Sequence, residues 1–316
     1  MCAKVSIVVP VYGVEKYIEK CARSLFEQNL SDLEYLFIDD CSPDNSVSVL
    51  RSVLEDYPLR KKQVMIYKME RNSGQAAVRT WGVLHATGDF IAHCDSDDWV
   101  EPDYCSAMYE KAISENADAV ICDYVTTDGE KIIKRVNGCR TTDKNQLINR
   151  MLFQSDPWSL CNKLFRRTAC YREDLVFPKG NMGEDMVMTF QLVLNAQKIS
   201  YIEKPLYNYF FNPASITKTM QDEKLLNNYN QLKANSDLLL HVFEVKGVVK
   251  QHNRGILSWK WFVKKYLWNI STKKAIQKQW RESYPEITLT VLMSPLFSFK
   301  EKCKYLMTNF GLYPFK

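Results

Sequence analysis

The sequence predicts an α/β protein: an open, mainly parallel sheet flanked by helices, followed by a helical C-terminal extension. Three observations carry this. Short apolar runs alternate with amphipathic helical patterns over roughly the first 125 residues, the signature of strands joined by helical crossovers. Polar clusters close three of those runs, and ligands of open α/β sheets sit outside the carboxyl ends of the strands. From Val245 to Arg281 the chain carries ten Lys/Arg, no Asp or Glu, and four of its seven tryptophans.

Val5 to Tyr12 is a β-branched run ended by Gly13, a strand buried on both faces. Tyr17, Ile18, Cys21, Leu25 and Phe26 then fall on one side of a helix. Leu33 to Ile38 is a second strand, stopped by the polar turn Asp39 to Asn45 that leads into a helix from Ser46 to Tyr57. Val64 to Lys68 is a third strand. The loop Glu70 to Gln75 opens a helix from Ala76 to Ala86, broken by Thr87-Gly88 before a fourth strand at Phe90. A helix after Asp103, a strand from Ala119 to Tyr124, and a hairpin or loop leading to a helix start between Thr126 and Asn149 follow. A second chemical region runs from Trp158 to about Thr219. The expected division is a catalytic unit over residues 1–219, with halves at about 125/126, and a basic, Trp-rich helical region over 220–316.

With 316 residues, the chain is long enough for a sizeable core plus an appendage. Its 46% hydrophobic and 25% charged residues exclude a disordered or fibrous chain. The ten cysteines lie at irregular spacings without a Cys-x-x-Cys pair, which favours reduced, packed thiols and a cytoplasmic setting. A strand begins almost at Met1, leaving no room for a targeting segment. No apolar stretch approaches the roughly 18 residues of a membrane span.

Asp95-Ser96-Asp97-Asp98 follows the apolar run Phe90 to Cys94. Three carboxylates at the end of a buried strand repel one another and cost desolvation, and a divalent cation, Mg²⁺ or Mn²⁺, relieves both. Such an ion usually completes its shell with substrate phosphates. The bland reading is an acidic turn or N-cap before Trp99. Asp39 and Asp40 close the second strand; one could accept a hydrogen bond from a base N–H, or both could simply shape a turn. Arg79, on the helix after the glycine-containing loop, is a candidate diphosphate contact. Glu184-Asp185 opens an amphipathic helix, either complementing its dipole or placing a general base. His93 and His85 read as structural.

Taken in order, Val5 to Tyr12 (VSIVVPVY), Phe37-Ile38-Asp39-Asp40-Cys41-Ser42, Asn72-x-Gly74, Gly88-Asp89-Phe90-Ile91 and Asp95-Ser96-Asp97-Asp98 resemble the family 2 glycosyltransferases of the GT-A fold. The likeness is close over residues 4–125 and looser through Glu184-Asp185 and the segment Asn212 to Thr217. It implies a nucleotide-sugar donor, usually a UDP-sugar, and inverting transfer to a hydroxyl of a glycan or lipid-linked acceptor. It implies that Pro10, Val11 and Tyr12 line the nucleotide pocket, that Asp40 binds the base, and that Asp95, beside Ser96, lies near the ribose and sugar. Asp97 would be the main metal ligand, supported by Asp98, and Asp185 the catalytic base. Lys163, with Trp158 and Glu184, would border the acceptor. The chain departs from the family pattern at Gly13 (usually Asn), Cys41 (usually Gly) and Val78-Arg79-Thr80 (usually Ala-Arg-Asn). A sugar nucleotidyltransferase would need a glycine-rich phosphate loop after the first strand, and Val11 to Glu15 is not one. An aspartyl-nucleophile phosphatase would want Asp-x-Asp-x-Thr/Val near that strand. A nucleotide-sugar-binding protein without turnover is the other alternative.

On helical spacing, Ile256, Trp259, Val263, Tyr266, Leu267 and Ile270 form one apolar stripe, expected to pack as core. Arg254, Trp261, Lys265 and Trp268 cluster on another side, which predicts either a solvated basic face or a surface for anionic lipid on the inner face of the cytoplasmic membrane. No nucleic-acid-binding motif accompanies the charge.

Overall fold

The computed structural model describes residues 3–211, 221–270 and 273–312. The resembling segment Asn212 to Thr217 and the 219/220 boundary lie outside the described residues. The first half runs β1 (Val5–Val11), α1 (Ile18–Phe26), β2 (Leu33–Asp39), α2 (Ser46–Glu55), β3 (Val64–Lys68), α3 (Gln75–His85), β4 (Phe90–His93), β5 (Trp99–Val100) and α4 (Tyr104–Ser114). It continues through β6 (Ala119–Thr127), β7 (Ile132–Val136), α5 (Lys144–Leu152), β8 (Lys163–Arg166), α6 (Arg167–Cys170), α7 (Glu184–Asn195) and β9 (Ile199–Phe210). The last segment holds α8 (Asp222–Val245), α9 (Asn253–Lys265), α10 (Lys273–Glu282), α11 (Ile287–Met293) and α12 (Phe299–Asn309).

The strands form one sheet in the order β3-β2-β1-β4-β8-β6-β9-β5, with β7 paired to β6. Strands β1 to β4 are parallel, and β8 enters antiparallel beside β4. The alternation of strand residues explains why β1 is apolar throughout. Val5, Ile7, Val9 and Val11 pack into one cluster with α1, α2 and α4, while Val8 packs on the other face with Val78 and Val83 of α3. Helix α1 buries Ile18, Cys21, Ala22, Leu25 and Phe26, the i, i+3, i+4, i+7, i+8 stripe of an amphipathic helix. The segment after Thr126 is a hairpin, with β7 antiparallel to β6. Helix α5 is N-capped by Asp143, whose carboxylate accepts from Asn145 N and Gln146 N at 2.8 and 3.0 Å.

The C-terminal helices share their core with the second half of the sheet. One apolar cluster runs from Ala119 and Ile121 of β6 through Met186 to Val193 of α7 to Trp259, Trp280 and Tyr305. The expected apolar stripe is buried at Ile256, Trp259, Val263, Leu267 and Ile270. The other stripe departs from expectation. Trp261 is fully buried, with ring centroids 5.2 Å from Tyr305 and 5.9 Å from Phe297, and Trp268 stacks on Trp280 at 5.7 Å. Lys246, Lys260, Lys265 and Lys278 pair with Asp174, Glu286, Glu301 and Glu282. The sequence around 245–281 lacks acids, but folding brings them in from elsewhere. At Trp261 and Trp268 that side of the helix is therefore an internal packing surface, while Arg254 stays exposed, and the lipid-facing role expected of the two tryptophans is withdrawn. The nine described cysteines are all free, seven of them buried.

Candidate active site

Parallel pairing in register brings the ends of β1, β2 and β4 together: Val11 lies opposite Asp39, and Val8 opposite His93. The polar residues that follow each strand therefore meet at one edge. Tyr12 stands half exposed there, while the Val11 side chain is buried in the core. Val11 contributes its carbonyl instead, which accepts from Asp40 N at 2.9 Å and Ser42 Oγ at 3.3 Å. Gly13 and Cys41 both take left-handed backbone, φ +66° and +59°. Glycine and asparagine adopt that region readily, which accounts for the family's usual residues at these turns; Cys41 occupies it with its thiol donating to Met69 O at 3.1 Å.

Asp39 accepts from Ser42 N at 2.8 Å and closes the turn. Asp40 is buried, and its two oxygens accept from Ser73 N and Gly74 N at 2.7 and 2.8 Å. It thus holds the loop that opens α3, a scaffolding task that the base-binding expectation did not include. Gly74 has φ +83°, and a Cβ there would collide with the Asn181 side chain. Asn181 Oδ1 accepts from Ala76 N at 3.2 Å, so this close approach ties the start of α3 to the loop before α7.

Around residue 97 the side chains separate by exposure. Asp95 and Asp97 are partly exposed; Ser96 and Asp98 are buried. Asp98 accepts from Tyr207 Oη at 2.6 Å and Phe210 N at 2.7 Å, anchoring the end of β9. Burial, together with Asp95 and Asp97, pushes its carboxyl well above the usual range. Asp98 is therefore a structural anchor, not the supporting metal ligand expected from the sequence, and Ser96 is likewise buried. Among the described residues no three His, Cys, Asp or Glu side chains gather as a complete cation site. The two partly exposed carboxylates, Asp95 and Asp97, are the candidates to hold a Mg²⁺ or Mn²⁺ that would take the rest of its shell from diphosphate and water.

Arg79 departs most from its expected role. It is buried, and its two terminal nitrogens are placed on carboxylates: one on Asp95 and the other on Glu184, which lies 105 positions after Arg79. Burial works against the guanidinium charge, but Asp95, Glu184 and Asp185 together raise its pKa. Arg79 is a clamp between carboxylates, not an open diphosphate contact. Glu184, expected at the acceptor mouth, is buried against this clamp, and burial pushes its carboxyl up to about 8. A small cavity beside the clamp is lined by Arg79, His93, Phe177 and Glu184, and Arg79 Nε, His93 Nδ1 and Glu184 Oε2 lack partners there. Burial, then Arg79, holds His93 neutral, as a packed residue.

Asp185 follows Gly183, φ +78°, at the N-terminus of α7. It is partly exposed and accepts from Met186 N at 2.8 Å. Burial raises its pKa against the opposing pull of Arg79. Lys163 is fully buried and donates to Ser159 O, Asn162 Oδ1 and Pro157 O at 2.7, 2.8 and 3.2 Å; burial lowers its pKa to about 8. Through these bonds it braces its own loop. Trp158, half-buried, sets its ring edge against Trp259 at 5.3 Å and so joins the C-terminal layer.

Sequence reasoning missed three positioning residues. Tyr207 joins Asp98 to Asp95 N, to which its oxygen lies at 3.1 Å. Gln231 Oε1 accepts from Asn181 N and Met182 N at 2.8 and 3.2 Å, and Asn235 Nδ2 donates to Gly180 O and Met182 O. Helix α8 thus holds the loop that delivers Glu184-Asp185. Polar residues four apart on a helix carry no local mark of such a task.

The mixed sheet with its helical layers is a GT-A fold. A crystal structure of Staphylococcus aureus TarS 1–349 in complex with UDP superposes with TM-score 0.67 at 19% identity, over 98% of this chain and 88% of that one. A mannosyltransferase from Pyrobaculum calidifontis, in complex with GDP-Man and Mn²⁺, gives 0.57 at 15% identity, over 99% and 85%. The profile of Glycosyl transferase family 2 matches residues 6–172, and the chain belongs to that family. EpsH of Bacillus subtilis (strain 168) is 33% identical over 224 residues, 69% of this chain and 63% of EpsH. The glycosyltransferase GlyA of Streptococcus pneumoniae serotype 4 is 26% identical over 231 residues, 70% of this chain and 32% of GlyA. The chain thus spans less than two thirds of either relative.

Proposed function

We propose that this chain is a metal-dependent inverting glycosyltransferase that moves a sugar from a UDP-sugar to a hydroxyl of a glycan or lipid-linked acceptor. The observation that carries the reading is the Arg79 clamp. One guanidinium binds Asp95 at the strand edge and Glu184 beside Asp185, so the donor edge and the candidate base belong to one site. Family membership and the UDP-bound TarS neighbour support the donor class.

The exposed Tyr12 ring and the edge of β1 would receive the base. Asp97, with Asp95 beside it, would hold Mg²⁺ or Mn²⁺, whose charge would stabilise the leaving diphosphate. Asp185 takes the proton of the acceptor hydroxyl. The freed oxygen forms its bond to the anomeric carbon as the bond to the diphosphate oxygen breaks, and UDP leaves with the electron pair. Its raised pKa makes Asp185 a stronger base than an exposed aspartate. Arg79 bridges the two carboxylate groups and compensates their repulsion.

The test is a screen of UDP-sugars with Asp185→Asn and Asp97→Ala. Asp185→Asn should lose at least about a thousandfold in turnover, within the range general-base catalysis supplies, and keep UDP binding by calorimetry. Asp97→Ala should lose the cation-dependent part of that binding. Near-normal turnover in Asp185→Asn removes it from the base role, and unchanged cation dependence in Asp97→Ala places the ion elsewhere.

A further inference from the structure

Helix α12 is inverted with respect to water. Its inner face is largely polar: Trp261, Trp268 and Trp280 donate their indole N–H groups to Glu301, Thr308 and Asn309 at 3.3, 3.1 and 2.6 Å. Tyr305, fully buried, completes that face. The opposite face carries Phe299, Leu306, Met307 and Phe310, with Phe299 82% and Phe310 73% exposed. On helical spacing Phe299, Leu306 and Phe310 fall within about 40° of one another. Nearby, α11 leaves Leu289 and Met293, one turn apart, 75% and 83% exposed. The tryptophans expected to meet lipid instead form the platform that turns the apolar face of α12 outward.

We propose that the outer face of α12 docks on an anionic lipid bilayer. The charge pattern selects this occupant. Lys300 and Lys302 flank the apolar stripe on either side. Glu301 is the one acidic residue between 287 and 312, and its carboxylate is turned inward to Trp261, Lys265 and the Ser298 cap. Apolar side chains bordered by lysines match the interface of a membrane with anionic headgroups. A second copy of the chain would bring the same lysines against one another, which like-charge repulsion opposes. No described helix is long and apolar enough to cross a membrane, so the contact lies in the interfacial plane.

The experiment is sedimentation of the full chain with vesicles of phosphatidylcholine and phosphatidylglycerol, and with phosphatidylcholine alone. The chain should pellet with the anionic vesicles and lose binding as salt rises. Phe299→Glu with Phe310→Glu should lower the bound fraction at least about tenfold, and Lys300→Glu with Lys302→Glu should abolish the preference for anionic lipid. Phe299, Lys300 and Phe310 are exposed and Lys302 partly so, and circular dichroism checks that the variants fold. Independently, Phe310→Trp should show a blue-shifted emission on adding anionic vesicles. Three results overturn the proposal: no pelleting at low salt, double-glutamate variants that pellet like the parent, or a dimer in solution that those variants dissolve. Docking and donor chemistry fail separately, because hydrolysis of UDP-sugar without vesicles should be the same in parent and variants.

Discussion

The acid-lined strand edge and the C-terminal helical layer solve opposite problems. At the edge of β1, β2 and β4, acids are crowded on purpose-built turns, and backbone N–H groups and one arginine compensate them: Asp40 by Ser73 N and Gly74 N, Asp95 and Glu184 by Arg79. In the C-terminal layer cations are in excess, and aromatic faces compensate them. Lys264 is buried under Tyr305 and Trp280, and Lys304 lies 3.9 Å from the Trp268 ring centre. Burial lowers Lys264 to about 8. The contrast teaches that the layer is not an appendage. Through Gln231 and Asn235 it grips the loop that carries the candidate base, so half of the site is assembled by residues remote from the motifs.

Two substitutions of similar cost test that contrast most strongly. Arg79→Met leaves the buried Glu184 and the partly exposed Asp95 without their shared cation and should cost about 3–5 kcal/mol. Trp261→Ala opens a cavity beneath α12 and should also cost about 3–5 kcal/mol. Both are read by urea unfolding. Below the melting range, Arg79→Met should lose turnover while Trp261→Ala retains it. If Trp261→Ala shifts only one of two separate transitions, the C-terminal layer folds by itself and the shared core is not cooperative.

Gln231→Leu is the finer probe. It removes the acceptor of two loop N–H groups and should cost about 1–3 kcal/mol. Because those groups precede Glu184-Asp185, kcat should fall by about tenfold with little change in KM for the donor. An equal loss in both would place the loop in donor binding instead.

The smallest effect is a slope. Burial holds Glu184 at about 8, above its ordinary value of about 4.5. Between those limits the folded chain keeps a proton that the unfolded chain has released. Stability should therefore fall as pH rises from about 4.5 to about 8. Glu184→Gln should flatten that part of the unfolding profile. A profile of the same steepness in the variant would assign the titration to another buried acid of the edge.

The parallel half was legible because its signals are local. The β-branched run of β1, the period of α1 and the acids after β4 each announce an element within a few residues, and in-order spacing then implied the fold. Element ends fell close: the helix expected over Ser46 to Tyr57 spans Ser46–Glu55, and that over Ala76 to Ala86 spans Gln75–His85. The roles of Asp98, Arg79 and Trp261 were misread for one reason. Each is a polar or amphipathic side chain whose partner lies far along the chain: Tyr207 and Phe210 for Asp98, Glu184 for Arg79, Phe297 and Tyr305 for Trp261. Lys163 differs only in that its partners are the carbonyls of a loop folded back on it.

By itself the sequence determined the class of fold and the family, since periodicity, turn chemistry and motif order are properties of neighbouring residues. Only the tertiary structure decided which carboxylates face outward and which are buried, that one arginine joins the two halves of the site, and which face of the C-terminal helices is left to the surroundings. A side chain's charge state and exposure depend on what packs against it, and those neighbours arrive from distant parts of the chain.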